Sequence, residues 1–430
     1  MRTRLTNCEV IDPSRGERFW GYLEWEDGVI REIGHAGPGL EQSTGGAAGR
    51  VIDGRGHLLA PSFVDLLADF CEPGFEYRED ILSGSAAAAS GGYTAVCLTP
   101  DTDPVCDGAD TARFIQEKGR EAGLTDLLPT GALTRGNLGR TISDLHDLAE
   151  LGVRAVSTGE GYLADTGLLR HAMEYAGNFG LSVFLINEDP SLAEGPVHEG
   201  MVSTVTGLGA TPSAAEEVAV ARHIALSALT GTHVHLLRLS SEAGVRLVRD
   251  AKARGVPVTA SVTAHHLVLN EDATATFDSA AKVRPPLRAE SDRRALVAGL
   301  IDGTIDAVAS DHCPRAVEEK VVEFDIAAPG ASGIELTFAM LNRLVLSGEL
   351  DLPTILRALA VGPRKVLGLD GGTLAAGEPA DLVLLDRDVS WTPSASALES
   401  RGKNPVTTRA LVGRPVMTIR RGMVAFNRLS

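Results

Sequence analysis

The chain has 430 residues, 44% of them hydrophobic, which is ample for a packed core and excludes wholesale disorder. Forty basic residues against 57 acidic ones leave a formal charge of −17, so no nucleic acid and no membrane surface is an expected partner. Five scattered cysteines without a CxxC pair read as reduced thiols, and no apolar run approaches the roughly 18 residues of a membrane helix, so a cytoplasmic setting is expected.

Short β-like runs fill residues 1–57: Arg4–Ile11, Tyr22–Trp25 and Val29–Ile33, followed by a Gly/Ala/Ser-rich loop from Gly37 to Gly49. From residue 58 strand-length apolar runs alternate with helical segments. Eight strands are predicted: Leu58–Leu66, Tyr93–Leu98, Asp126–Thr130, Val153–Ser157, Leu181–Asn187, Thr232–Leu239, Val256–Val262 and Ile305–Ser310. Between them the spacing predicts a helix over Asp165–Phe179 with Gly180 as its stop, and another opening at Ser213, where Glu216 completes a capping-box pattern. The Ala-rich Ser85–Ser90 reads as helix, with Gly91-Gly92 ending it. Eight β/α units over about 250 residues match a closed barrel better than an open sheet.

Two further helices are expected near Gly333–Ser347 and Pro353–Ala360. β texture then returns in Leu382–Leu385, Thr408–Val412, Met417–Arg420 and Met423–Phe426. The fold class is therefore α/β: a (β/α)8 TIM-like barrel over residues 58–365, beside a small β-sandwich formed by residues 1–57 and 366–430.

Several strings resemble the dihydroorotases, cyclic amidohydrolases of the amidohydrolase superfamily. They are PSFVDLLADFCEPGFEYRED from Pro61, VTAHHLVLN from Val262, KVRPPLR from Lys282, GTIDAVASDHCP from Gly303, SGIELTF from Ser332 and GTLAAGEPADLVLLD from Gly372. The resemblance covers essentially the whole chain. It implies the same barrel and sandwich, and a place in pyrimidine synthesis, where carbamoyl aspartate and dihydroorotate interconvert on a zinc centre at the strand ends.

The departures from the family pattern fall on that centre. Its Asp-x-His-x-His string corresponds to Asp65–Asp69, with Leu67 and Asp69 at the histidine positions. Its bridging carboxylate falls at Thr158 or Gly159, and its later histidines at Ile186 and Arg238. Only the strand-eight aspartate survives, as Asp311. Five of the six ligand positions have lost the family's residue, and aliphatic or guanidinium groups cannot ligate, so no cofactor is expected. Substrate positions have drifted too: Cys71 and Asp101 stand for an arginine and an asparagine, Arg284 for an asparagine and Arg315 for a histidine.

The leading expectation is thus a dihydroorotase-like pseudoenzyme, with Asp311 a vestigial general base and Asp101, Arg284 and Arg315 lining a degenerate pocket. By resemblance its role would be structural or regulatory, with aspartate carbamoyltransferase as partner and self-association into a homo-oligomer. Arg238, Arg284 and Arg315 are expected to replace the metal's charge against Asp69, Asp101 and Asp311. Two alternatives stand beside this. One is an active dihydroorotase or other cyclic amidohydrolase, with zinc relocated onto His265, His266, Asp311, His312 and Asp69. The other is a protein binding an anionic metabolite through Arg284 and Arg315. His233 and His235, alternating on one strand face, and the thiols of Cys71 and Cys313 are expected to play structural parts.

Overall fold

The computed structural model describes residues 2–37 and 49–429, so all but the ends of the Gly37–Gly49 loop lies outside the described residues. Five strands open the chain: β1 Thr3–Asp12, β2 Glu17–Glu26, β3 Val29–His35, β4 Arg50–Asp53 and β5 Leu58–Pro61. The barrel strands follow as β6 Phe63–Ala68, β7 Tyr93–Leu98, β8 Asp126–Pro129 with its continuation β9 Gly131–Ala132, β10 Ala155–Ser157 and β11 Ser182–Ile186. A short outlying pair, β12 Val197–His198 and β13 Ala210–Thr211, precedes the last barrel strands β14 Val234–Leu237, β15 Val258–Thr263 and β16 Ala307–Ala309. Three strands end the chain: β17 Leu382–Trp391, β18 Leu411–Arg420 and β19 Met423–Asn427.

Every barrel pairing is parallel. The ring closes where Ala68 bridges His312 and the Asp69 amide donates to the His312 carbonyl at 2.7 Å. Inside, Leu66, Phe184, Leu237, Ala307 and Ala309 pack into one buried core. Outside, the helices cover the strands with a second apolar layer. This filling from both faces is what the unbroken apolar strand runs require.

The terminal segments join in one eight-stranded sheet ordered β19-β18-β17-β5-β1-β2-β3, with β4 beside β1. The sheet curls on itself. The Trp25 indole donates to the Gly422 carbonyl at 2.9 Å, and Val29 bridges Pro379, closing the two ends over Leu5, Leu23, Leu59, Leu382 and Ile419. Among the described residues no helix is long and apolar enough to cross a membrane.

Local signals explain the helix that positions β11. Asp165 caps it by accepting from the Leu168 amide at 3.0 Å, and it runs Thr166–Asn178 before Gly180 turns the chain at φ +67°. The Ala-rich helix Ile81–Ser90 ends at Gly91, where a Cβ would sit 2.4 Å from the Ile334 carbonyl oxygen.

Four expectations are corrected. Leu58–Leu66 is two strands, because β5 pairs with β1 and β17 while β6 turns into the barrel after Pro61. The barrel therefore begins at β6 rather than at residue 58, and Val366 and Leu367 still pack inside it. Thr408–Val412 and Met417–Arg420 are not separate strands; β18 takes in most of both. The Ser213 capping box does not form. Glu216 is fully buried and accepts instead from the amides of Ser240 and Ser241, each at 2.9 Å, and from both their hydroxyls.

Candidate functional site

At the C-terminal ends of the barrel strands lies a cavity of about 140 Å³, bordered by Leu67, Asp69, Asp101, Glu160, Asp311 and Arg315, among others. Its centre is an ion-pair cluster. Arg238, at the end of β14, donates through Nη1 to Asp311 Oδ1 at 3.1 Å and through Nη2 to Glu160 Oε2 at 2.9 Å. The Arg238 side chain is only 3% exposed and that of Asp311 only 5% exposed. Burial works against the Arg238 charge, but Glu160 and Asp311 more than offset it and hold the guanidinium protonated. Burial pushes Asp311 up, opposed by Arg238. Burial works against the Glu160 charge, but Arg238, together with Arg284 and Arg315, more than offsets it and holds the carboxyl below the ordinary carboxylate range.

Three residues at the strand ends hold left-handed backbone: Cys71 at φ 59°, Arg238 at 55° and Asp311 at 49°. Each such residue costs about 1 kcal/mol, so the surrounding structure must hold them there.

Glu160 was not singled out by the sequence. It arrives through Gly159, whose φ of +57° turns the loop and whose missing side chain gives Asp101 room; a Cβ there would lie 2.2 Å from Asp101 Oδ1. The Glu160 amide then donates to Asp101 Oδ2 at 3.0 Å, while Asn137 Nδ2 reaches Asp101 Oδ1 at 3.2 Å. An acidic side chain one position beyond the expected bridging site was the available signal.

The expected three-arginine cluster is thus corrected. Arg284 donates to Glu188, and Arg315 Nε donates to the Pro329 carbonyl at 2.8 Å, so the two do not form a joint anion clamp. Among the described residues neither Asp69 nor Asp101 has an ion-pair partner; Asp69 accepts from the Cys71 amide at 2.8 Å. Burial raises Asp69, and burial with repulsion from Glu160 and Asp69 pushes Asp101 up to about 7.

That shift has a measurable sign. An unfolded aspartate releases its proton near pH 4, whereas folded Asp101 keeps it until about 7, so ionisation favours unfolding across that window. Stability is expected to fall between about pH 4 and 7 by about 2 kcal/mol from this group, its partial exposure allowed for, and to level off above. Urea unfolding at stepped pH, compared with Asp101→Ser, reads the difference. Identical slopes for the two chains would refute it.

The remaining candidates are structural in geometry. His266 Nε2 donates to the Pro285 carbonyl at 3.1 Å, which leaves Nδ1 to accept from the Thr263 hydroxyl at 2.7 Å. Burial, with His266 and Arg238 nearby, keeps His265 neutral, its Nε2 3.8 Å from Asp311 Oδ2. His312 packs edge-on to Phe70 with Nε2 3.5 Å from Glu79. His233 and His235 share the Thr259 hydroxyl at 2.9 and 2.8 Å. Burial pushes the Cys71 and Cys313 thiols up, away from the nucleophilic thiolate.

A divalent ion does not fit these donors. Leu67 and Ile186 belong to the apolar barrel interior, and the Arg238 guanidinium already binds Asp311 Oδ1. His265, His266, Asp311, His312 and Asp69 do not converge as a relocated site either. Among the described residues, the only three ligand-bearing side chains whose donor atoms lie within 4.8 Å of one another are exposed His146, Asp147 and Glu150, on the outer helix Leu145–Glu150.

Comparison with known proteins gives a consistent family. Residues 56–243 match the family described as Dihydro-orotase-like, and residues 199–424 the Amidohydrolase family. A dihydroorotase of Citrifermentans bemidjiense is 39% identical over 428 residues, 99% of this chain and 100% of its own. One from Anaeromyxobacter dehalogenans is 40% identical over 419 residues, 96% and 95% of the two chains. In fold, an L-hydantoinase (dihydropyrimidinase) from Arthrobacter aurescens superposes with TM-score 0.85 at 23% identity, covering 99% of this chain and 96% of its own. The dihydropyrimidinase of Brevibacillus agri gives 0.83 at 23%, covering 100% and 95%. At that identity the likeness is one of architecture.

Proposed function

The chain belongs to the dihydroorotase family of the amidohydrolases, and on that premise we propose that it keeps the family's barrel without the family's metal-dependent hydrolysis. One observation carries this reading: Arg238 lies between Asp311 and Glu160, where the resemblance calls for a metal ligand. Without a bound ion nothing brings the pKa of a water toward neutrality, and Asp311, paired to Arg238, has no activated water from which to take a proton. The chain would then serve as a structural or regulatory partner of aspartate carbamoyltransferase. Its five unpaired cysteines suit the reducing cytoplasm.

The comparisons do not support loss of catalysis. Full-length identity of 39–40% to chains named dihydroorotase favours a second reading, an active hydrolase of the dihydroorotase type that interconverts carbamoyl aspartate and dihydroorotate, with zinc. Elemental analysis of the purified protein, with dihydroorotate turnover measured in added zinc, separates the two. The first reading expects metal far below one ion per chain and no turnover above the uncatalysed rate. Stoichiometric metal, with turnover abolished by Asp311→Asn, would establish the second. For the partner, copurification with aspartate carbamoyltransferase is expected, and a transferase of unchanged size and activity without this chain would remove that role.

A further inference from the structure

A second cavity lies at the opposite end of the barrel from the strand-end cluster. It measures about 480 Å³ and opens where the first residues of β6, β7 and β8 meet the curled sheet at the end of β18. Its polar wall comprises Arg364, Arg420, Arg421, Asp126 and Asp381, with Leu127, Leu369 and Pro379 supplying aliphatic surface. Arg420 donates to Asp126 Oδ1 at 2.8 Å, and Arg421 to Asp126 Oδ2 at 3.0 Å, so one carboxylate answers two guanidinium groups. Asp381 accepts from the Arg421 amide at 2.6 Å.

Arg364 is 4% exposed and spends its donors on neutral partners: the Ser62 and Ala360 carbonyls at 2.7 and 2.9 Å and the Ser62 hydroxyl at 3.0 Å. Burial pulls it down to about 10, which still leaves it charged at neutral pH. Three guanidinium charges thus face two carboxylates. Exposed Arg120 and Asp370 at the rim offset each other. A half-buried concavity with aliphatic walls and one uncompensated positive charge is the arrangement of a small-molecule site.

We propose that this cavity binds a small organic anion, a carboxylate or phosphate monoester carried on an apolar body, at the junction of barrel and sheet. The location excludes it from the strand-end chemistry, because barrel active sites form at the C-terminal ends of the strands. Its occupant would touch β8, the helix Ala109–Ala122 and the β17–β18 edge. The proposal stands whether or not the chain hydrolyses anything.

Calorimetry on the full chain at pH 8 tests it with benzoate, phenyl phosphate and the cationic isostere benzamidine. The anions are expected to bind in the millimolar range, as suits ligands of about ten heavy atoms, and benzamidine not at all. Two substitutions should move the affinity in opposite directions. Arg421→Ala removes one of the three guanidinium charges, on a mostly exposed side chain, and should weaken binding about tenfold. Asp381→Asn keeps an acceptor for the Arg421 amide, deletes a negative charge and should tighten it several-fold. A purely structural role for these residues would not give opposite signs. No heat from either anion, benzamidine binding as well as benzoate, or both variants shifting the same way would each overturn the assignment.

Discussion

Replacing Arg238 by methionine is expected to lower the unfolding free energy by about 3–5 kcal/mol at neutral pH, the usual cost of leaving one partner of a buried ion pair behind. Asp311 bears that cost. It is 5% exposed, Arg238 is its ion-pair partner, and the nearby His265 is kept neutral. Glu160 contributes less, because 39% of its side chain is exposed at the rim and water can replace the guanidinium. The loss should depend on pH in a defined direction. Without Arg238 the folded Asp311 retains its proton to higher pH than the unfolded chain, so the penalty is small near pH 4 and grows as the pH rises. The pair Arg238→Met/Asp311→Asn should recover more than half of the loss, since no charge then remains buried. Urea unfolding of the three chains at pH 4, 6 and 8 measures all of this. A neutral Arg238→Met would mean that the cluster does not balance charge.

What the sequence discloses about such a cluster depends on range. The Asp165–Gly180 helix is legible because its cap and stop act within one turn of its ends. The split of Leu58–Leu66 is not, because the choice between sheet and barrel is made by β17, more than 300 residues away. Ser213 and Glu216 mislead for the same reason: their spacing fits a cap, yet Glu216 is claimed by Ser240 and Ser241 once the barrel brings β14 alongside. That Leu67, Ile186 and Arg238 cannot ligate is legible position by position, since their side chains offer no lone pair to a metal wherever the chain puts them. The identity of the compensating acid could not. Asp69 and Asp101 were the acids at the expected strand ends, but the turn at Gly159 delivers Glu160. Arg315 borders the strand-end cavity and Arg284 is not part of its lining, and their hydrogen bonds go to the Pro329 carbonyl and to Glu188.

Supplying donors should create a metal site. Leu67, Asp69 and Asp311 all border the same 140 Å³ cavity. Positions 67 and 69 are two apart on an extended segment, which is how paired ligands come to share one face. In Leu67→His/Asp69→His/Arg238→Ala, two imidazoles join an Asp311 freed of its guanidinium, giving the three protein ligands of an open zinc site. Zinc content after dialysis is expected to rise from far below one to about one ion per chain. The midpoint of unfolding should rise with zinc in this variant only, since binding to the folded state alone stabilises it by mass action. Arg238→Ala by itself should gain no zinc, because Leu67 still supplies no lone pair. Dihydroorotate turnover is not expected to follow, because by the resemblance Thr158 or Gly159 stands at the position of a bridging carboxylate and Cys71 at that of a substrate-binding arginine. A folded triple variant that stays free of zinc, or a parent chain that loads equally well, would show that the side chains at positions 67, 69 and 238 do not decide whether this strand end holds zinc.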